Sequence, residues 1–505
     1  MACTALNMRN PSGPDSLTAE DEFEALQDWM TSREALAQPL HEVEREQSKR
    51  TLEMSRKLLQ EHIDKRGPGD RGPKLTVMQG PDKALTLDRG RIRSRQIRSI
   101  FGEVVAHRIV YCSPGHTSVH PLDEQLALFH RSYSYEVQRW TVKAAVQGPY
   151  HEAVTAVRER TGLTLSKRSA EEMVVEAAQD FDTFYQQRKA VPPEESGIIL
   201  VCAVDCKGVP MKKPEPAEPL FKKKKGQKTN KKRMATVAAV FTQEPRIRTA
   251  EDVVKSLFRT PLSVAQMPAP KTDRKKLRPH DKRIWASLRK GKDGIIQEAA
   301  EEVERRDPNR VKTRVILTDG ERALQYRTRR LVYGAILVLD LLHALQYLWK
   351  VACAFFEEGS KEVTEWTKKQ ALKLLQGKVG RVIQGIRQSA TKRKLVGKKK
   401  EAIEVATRYF SKNRQYMRYN EYLEQGLPIA SGSVEGACKN LINDRMERSG
   451  MRWVEESAEA MLKMRAIYLS GDFDAYWAYH LVKERERYLE GRAQPAKPRS
   501  ADVKK

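Results

Sequence analysis

Asp205, Asp319 and Glu435 are the residues of this chain whose types and settings best suit phosphodiester chemistry. Asp205 closes the apolar run 198–204, Asp319 follows the run 315–318, and Glu435 lies in Gly-Ser-Val-Glu-Gly. Carboxylate oxygens are the ligands that Mg²⁺ and Mn²⁺ prefer. With two such ions, one lowers the pKa of an attacking water or 3′-hydroxyl and the other stabilises the leaving oxygen. The three acids are far apart in the sequence, so only the folded chain can bring them together.

Each of these residues also has an ordinary structural interpretation. An Asp-Gly pair after a strand commonly forms only a turn, and a single Glu on a helix commonly faces solvent. Asp340 follows another apolar run, 335–339, and precedes His343 by three residues. That pair fits a helix cap with a polar contact, or an orienting pair beside a metal site. Cys202 and Cys206 lack the further Cys or His residues of a structural zinc site, so we expect them in the core.

The segments that must position the acids alternate between strands and helices. The strand-like runs are rich in β-branched residues and cover 198–204, 234–241, 282–288, 315–318 and 335–339. Short apolar runs separated by helix-length segments predict a buried α/β sheet. The sequence therefore predicts acids at the carboxyl ends of the strands, where open α/β sheets bind ligands.

The charge of the chain indicates a polyanionic partner. Of 505 residues, 93 are Lys or Arg and 66 are Asp or Glu, which gives a net charge of +27. Such an excess favours nucleic acid as the partner, although solubility alone is the other interpretation. One dense basic segment, 222–233, lies between two predicted strands, where it either contacts phosphate or is merely solvated. The predicted contacts in it are Lys222, Lys223, Lys224, Lys225, Lys231, Lys232 and Arg233.

A second candidate DNA-binding element lies before the predicted sheet. Residues 150–178 read as a helix, a break at Thr161-Gly162, a cap at Ser166 and a second helix, which is the spacing of a helix-turn-helix. Lys167 and Arg168 open the second helix, but acidic residues follow them. The alternatives are DNA contact by this helix and plain helical packing.

The chain divides by pattern into successive regions, and no signal peptide or membrane-length apolar run is visible. We therefore expect a cytoplasmic protein, associated with the nucleoid. The predicted regions are a helical arm at 1–90, a hairpin with a helix-turn-helix at 91–190, the first part of the core at 191–343, a helical insertion at 344–430, the Glu435 helix with C-terminal helices at 431–490, and a disordered tail at 491–505.

Ordered blocks of this sequence resemble the DDE transposases of bacterial insertion sequences, in particular the ISKra type. The similarity covers about residues 95–490. Its blocks are IFGEVVAHRIVYCSPG at 100–115, HPLDEQL at 120–126, RSAEEMVVEAAQDFDTFYQQR at 168–188, VDCKGVPM at 204–211, KKRMATVAAVF at 231–241, LTDG at 317–320, DLLHALQYLWK at 340–350, GSVEGACKNLINDRMERSGMRW at 432–453 and GDFDAYWAYH at 471–480.

The resemblance implies an α/β RNase H-like catalytic core with a large helical insertion, behind a mainly helical N-terminal DNA-binding region. It implies that Asp205, Asp319 and Glu435 are catalytic and hold two Mg²⁺ or Mn²⁺ ions. Asp340 and His343 match an element of Mutator-like relatives that acts near the site rather than as a main ligand. In such a sheet the first and fourth strands are neighbours, which favours Asp319 over Asp340 as the second acid.

The implied partners are double-stranded DNA, as terminal repeats and target, and further copies of the chain in a homodimer or higher synaptic oligomer. The implied activity is metal-dependent strand cleavage and strand transfer. One departure is Cys206, where such proteins often carry Gly; it leaves the proposed ligands intact but changes the residue beside Asp205. Two alternatives stay open: a catalytically silent DNA-binding protein derived from a transposase, and an RNase H-like nuclease.

Overall fold

The computed structural model describes residues 18–80, 83–189, 191–192, 195–212, 232–258, 279–430, 436 and 438–491. The chain divides into two compact units. The first comprises Met1–Asp180 and Asp474–Lys505, and the second comprises Phe181–Phe473. The second unit contains Asp205, Asp319, Asp340 and His343.

An antiparallel sheet of the strands β1 (Lys74–Gly80), β2 (Lys83–Ser99) and β3 (Gly102–Cys112) organises the first unit. The predicted boundary at residue 90 falls inside β2, which pairs with both of its neighbours. The sequence predicts a hairpin from 100 to 111, whereas in the structure these residues form only the turn and the second strand, β3. The first strand, β2, was missed because polar residues interrupt its apolar ones, so it buries few side chains.

Helices surround this sheet, and three of them pack against one another as a compact group. The turn between the second and third of the group begins at Gly162, with φ of +71°, and ends at Ser166, whose hydroxyl accepts from the Ser169 amide at 2.9 Å. The predicted break and cap are therefore confirmed. The helices are α1 (Ala19–Thr31), α2 (Arg33–Ala37), α3 (Leu40–Lys65), α4 (Pro121–Gln125), α5 (Tyr135–Gln147), α6 (Tyr150–Thr161) and α7 (Lys167–Ala177), with α5, α6 and α7 forming the group.

The second unit is built on a mixed sheet, which confirms the predicted α/β class. Its strands lie in the order β6-β5-β4-β7-β8. β5 is antiparallel to β4 and β6, whereas β7 runs parallel to β4 and β8 parallel to β7. Their bounds are Ile199–Pro210 for β4, Lys232–Gln243 for β5, His280–Ser287 for β6, Thr313–Thr318 for β7 and Ile336–Leu339 for β8.

The strand that carries Asp205 is longer than predicted. β4 pairs with β5 from Ile199 to Pro210, so it continues past Val204, where its apolar run ends. Pairing with the other neighbour, β7, ends earlier, at Ala203. Asp205 therefore lies inside a strand rather than at its end, a correction to the sequence analysis. The reason is that hydrogen bonds to β5 extend the strand beyond the part buried on both sides.

Helices cover the sheet and form the insertion that follows it. The predicted apolar face of Leu341, Leu345, Leu348 and Ala352 is buried, as expected from its helical spacing. Among the described residues, no helix has the length and apolar character needed to cross a membrane. The helices are α8 (Phe181–Gln187), α9 (Ala250–Leu257), α10 (Gly291–Arg306), α11 (Arg322–Leu331), α12 (Leu341–Phe355), α13 (Lys361–Leu375), α14 (Val379–Lys392), α15 (Gly397–Asn413), α16 (Tyr419–Glu424) and α17 (Glu455–Ser470).

The last helix, α18 (Phe473–Glu490), belongs with the first unit from residue 474 onward. His480 and Arg487 on this helix each lie 2.7 Å from the carboxylate of Asp180. Although burial opposes ionisation, these two partners lower the pKa of Asp180 to about 2. These ion pairs join α18 to Asp180 within the first unit.

Candidate active site

The parallel pairing of β4 and β7 brings Asp205 and Asp319 side by side. Ala203 and Leu317 are the last paired residues of these strands, and each acid lies two residues further along its chain. Neighbouring strands are about 4.8 Å apart. Two residues that are distant in the sequence therefore meet at the same edge of the sheet.

Asp340 extends this row of acids by one strand. Thr318 of β7 pairs with Leu339 of β8, and both Asp319 and Asp340 come directly after that pair. The backbone amide of Asp340 donates to the carbonyl of Thr318 at 2.9 Å. Asp205 thus lies just past the part of β4 that pairs with β7, whereas Asp319 and Asp340 directly follow β7 and β8, with Asp319 in the middle of the row.

The acids interact electrostatically. Burial raises the pKa of the Asp319 carboxyl; the amide of Glu321, which donates to it at 2.9 Å, opposes this effect. The negative charge of Asp205 raises the pKa of Asp319 further, and His343 lowers it. Like charges held this close favour a bound cation between them.

The carboxylate of Asp205 is held by two neighbours. The backbone amide of Cys206 donates to one oxygen at 2.7 Å, and the thiol of Cys438 donates to the other at 3.3 Å. Burial and the charge of Asp205 raise the pKa of the Cys438 thiol, which keeps its proton available for donation. Cys438 follows Glu435 by three residues, but Glu435 itself lies outside the described residues.

Asp340 and His343 form the predicted pair at the start of α12. One oxygen of Asp340 accepts from the Leu342 amide at 2.8 Å and caps the helix, while the other lies 3.1 Å from Nδ1 of His343. Asp340 is only 1% exposed. This hydrogen bond raises the pKa of His343, and the charges of Asp340, Asp319 and Asp205 raise it further. The pair therefore caps α12 and places an imidazole with a raised pKa beside the two other acids.

The helical insertion fixes the turn that carries Asp319. The hydroxyl of Tyr409 on α15 donates to the backbone carbonyl of Asp319 at 2.7 Å. Gly320 has φ of +96°, and a Cβ there would lie 2.7 Å from the Tyr409 ring and 3.1 Å from Nδ2 of Asn413. The ring of Tyr347 on α12 stacks on that of Tyr409 at 3.9 Å between centroids. The turn is therefore closely packed against the insertion.

Two more tyrosines of the insertion cover the edge strand β8. The hydroxyl of Tyr419 donates to the carbonyl of Leu339 at 2.9 Å, and that of Tyr422 donates to the carbonyl of Leu337 at 3.4 Å. Both acceptors are backbone groups that an edge strand would otherwise present to solvent. The insertion therefore stabilises the part of the sheet that leads into Asp340.

The predicted DNA contacts of the basic segment are described only in part. Lys222, Lys223, Lys224, Lys225 and Lys231 lie outside the described residues. Lys232 is paired with Glu447, and Arg233 with Glu455. These two charges are partly neutralised within the protein, which weakens them as phosphate contacts.

Lys167 and Arg168 begin α7, as predicted, and both are exposed. The side chain of Arg168 is 88% exposed and lies 3.0 Å from Glu172, which also accepts from Arg131. The first turn of α7 is thus available to a partner, whereas its second turn is joined to the rest of the unit by Arg131.

The donor set suits a hard divalent cation as far as it is described. Asp205 and Asp319 offer carboxylate oxygens on neighbouring strands, and their mutual repulsion would be relieved by a cation. Among the described residues, which omit Glu435, no three His, Cys, Asp or Glu side chains are grouped closely enough to hold a metal ion. A metal site on Asp205 and Asp319 would need a third ligand. Cys438, three residues after Glu435 in the sequence, contacts Asp205.

Sequence reasoning missed the residues that support the acids. Tyr409 is 90 residues from Asp319, and no local pattern connects them. Cys438 did carry a usable signal, because residues three apart share one face of a helix and Glu435 had been placed on a helix. Comparison of the chain with models of known protein families and with curated proteins gives no match.

Proposed function

We propose that this chain is a DNA transposase of a bacterial insertion sequence, which binds the element ends and catalyses metal-dependent strand cleavage and strand transfer. The observation that carries the proposal is the parallel pairing of β4 and β7, which sets Asp205 beside Asp319. The strand order β6-β5-β4-β7-β8, with β4 central and β8 at the edge, agrees with the RNase H-like core that the resemblance implies.

In this proposal Asp205 and Asp319 hold Mg²⁺ or Mn²⁺, with Glu435 as the third ligand. Bound there, two ions would activate the attacking oxygen and stabilise the leaving oxygen of an in-line displacement. The protein supplies the positions: β4 and β7 fix the two aspartates, and the thiol of Cys438 and the amide of Cys206 orient Asp205. A net charge of +27 agrees with a polyanionic substrate.

Asp340 and His343 have a supporting role in the proposed reaction. Asp340 holds the imidazole through Nδ1, and the raised pKa of His343 favours the protonated ring. A protonated ring near Asp205 and Asp319 can pair with a phosphate oxygen of the DNA. This group orients the substrate and moderates the negative charge of the acids.

The experiment compares cleavage of terminal-repeat DNA by the wild type and by variants of each acid. Asp205→Asn, Asp319→Asn and Glu435→Gln should each lose nearly all cleavage with Mg²⁺ or Mn²⁺ while still binding the DNA. Asp340→Asn and His343→Ala should be slower by about 10- to 100-fold, the usual cost of losing a supporting group. Chelation with EDTA should abolish cleavage by the wild type.

The outcomes separate the alternatives. Unchanged cleavage in one acid variant removes that residue from the site, and loss in Asp340→Asn with activity in Asp319→Asn would make Asp340 the ligand. Wild-type protein that binds the repeats but never cuts them would be a silent DNA-binding protein. Cleavage without joining to a target would indicate an RNase H-like nuclease.

A further inference from the structure

A cleft in the second unit combines positive charge with two tyrosines, one exposed and one half-buried. It lies between α11 and the end of α15 and has a volume of about 520 Å³. Four cations and two tyrosines line it together with two glutamines, and no carboxylate does so among the described residues. These six residues, the basic cleft, are Arg322, Tyr326, Arg329, Arg330, Lys412 and Tyr416.

Three of the basic residues noted in the sequence are engaged by carboxylates within the protein. Lys232, Arg233 and Arg168 are each paired with a Glu. Arg329, Arg330 and the other two cations make no ion pair with any residue that the structure describes. Unpaired, exposed guanidinium groups release counterions on binding phosphate, which makes them effective contacts to a nucleic-acid backbone.

The tyrosines favour a nucleic acid with unpaired bases. Tyr326 is 69% exposed and makes no ring contact with another residue that the structure describes, so its face is available to a base. Surfaces that bind single strands combine a basic groove with aromatic rings on which bases stack. In duplex DNA the bases are already stacked on each other, so its phosphates could contact the cations but its bases would not stack on the tyrosine rings.

The basic cleft is joined to the candidate active site. Arg322 follows Asp319 by three residues, and a chain of that length spans at most about 11 Å. The amide of Gln325 donates to Asn413 at 2.8 Å, and Asn413 packs on Gly320. The Arg322 end of the basic cleft therefore lies next to the turn that carries Asp319, and Arg329 and Arg330 lie about two helical turns further away.

We propose that the basic cleft binds a single-stranded segment of DNA that adjoins the position of cleavage, with its phosphates on the four cations and a base on Tyr326. The choice of DNA as the polymer rests on the proposed function. The basic cleft is separate from the proposed metal site, because none of its residues belongs to that site.

The test is binding of a short fluorescent oligothymidine, measured by anisotropy in EDTA, so that no cleavage is involved. The variant Arg329→Gln with Arg330→Gln should bind more weakly and flatten the slope of log affinity against log salt by about 1.4, or about 0.7 per lost contact. The control is Lys398→Gln with Lys399→Gln, which makes the same change in charge. Those lysines are exposed near the start of α15, about 20 Å along the helix from Lys412.

A second variant tests stacking separately from charge. Tyr326→Ala should weaken binding of oligothymidine about tenfold and leave binding of an abasic strand unchanged, because only the base is lost. Equal salt slopes for the arginine variant and its lysine control would overturn the proposal. So would an equal effect of Tyr326→Ala on both strands, or tighter binding of duplex or of an acidic peptide. If the surface binds as expected but the wild type never cuts DNA, the proposed function fails and the binding surface remains.

Discussion

The hydroxyl of Tyr409 donates a hydrogen bond of 2.7 Å to the backbone carbonyl of Asp319. One residue belongs to the helical insertion and the other to the edge of the sheet. Burial raises the pKa of Tyr409, so its hydroxyl stays protonated and remains a donor. The insertion is therefore part of the machinery that positions the central acid.

Replacing Tyr409 by Phe should slow cleavage while leaving DNA affinity unchanged. The ring keeps its stack on Tyr347, but the loss of one hydrogen bond, about 1 kcal/mol, loosens the Asp319 turn and should lower the rate about fivefold. Single-turnover cleavage and a binding titration measure the two effects. Tyr347→Phe is the matched control, because it keeps the stack and the bond to Asp319. Equal rates for the two variants would refute the positioning role.

Replacing Gly320 by Ala should both destabilise the protein and impair the site. A Cβ there would meet the Tyr409 ring at 2.7 Å, and the backbone has φ of +96°. Gly334→Ala separates the steric clash with Tyr409 from the strain of a positive φ. Gly334 also has positive φ, at +71°, but has open space around it. The control should lose only about 1 kcal/mol from backbone strain. A Gly320→Ala protein with the melting temperature and cleavage rate of Gly334→Ala would contradict the close packing.

Replacing Asp340 by Asn should return the pKa of His343 toward its ordinary value of 6.5. The hydrogen bond to Asp340 is the largest cause of the raised value, and Asn keeps an oxygen that can cap α12. A histidine whose pKa is raised by folding stabilises the folded state at pH values below its unfolded-state pKa. This stabilisation is lost as the pH rises through its folded-state pKa. The free energy of unfolding of the wild type should therefore exceed that of Asp340→Asn below about pH 6.5. This difference should disappear as the pH rises above the folded-state pKa of His343.

NMR titration of ¹³C-labelled histidines measures this shift directly. The chain has ten histidines, and His343→Gln identifies the signal. His41 is exposed and serves as an internal reference, because it is far from Asp340 in the sequence and belongs to the other unit. An unchanged His343 pKa in Asp340→Asn would mean that Asp340 does not hold the protonated ring.

Local sequence patterns predicted the strands, and the positions of Asp319 and Asp340 after them, because the residues of each strand alone determine that it forms. The run before Asp319 and the run before Asp340 are short, apolar and β-branched, and each forms the strand expected of it. The extension of β4 past Asp205 depends instead on its partner β5, which the composition of β4 does not reveal.

The contacts that support the site have no local signal. Tyr409 meets Asp319 across 90 residues, and Cys438 meets Asp205 across 233. The basic cleft likewise needs α11 and α15 to come together before its charges form one surface. Such long-range juxtapositions follow from the packing of whole helices, so single-sequence periodicity cannot predict them.

The Cys438 contact also has a consequence for protein synthesis. Asp205 leaves the ribosome long before residue 438 does, so the nascent chain carries its first acid without the thiol that orients it. Tyr409 likewise emerges well after Asp319. The sheet can form early, because domains generally fold as units during synthesis, but the contacts that hold Asp205 and Asp319 are completed only when nearly the whole chain has been made. Under the proposed function, cleavage of DNA would therefore have to wait until translation is almost finished.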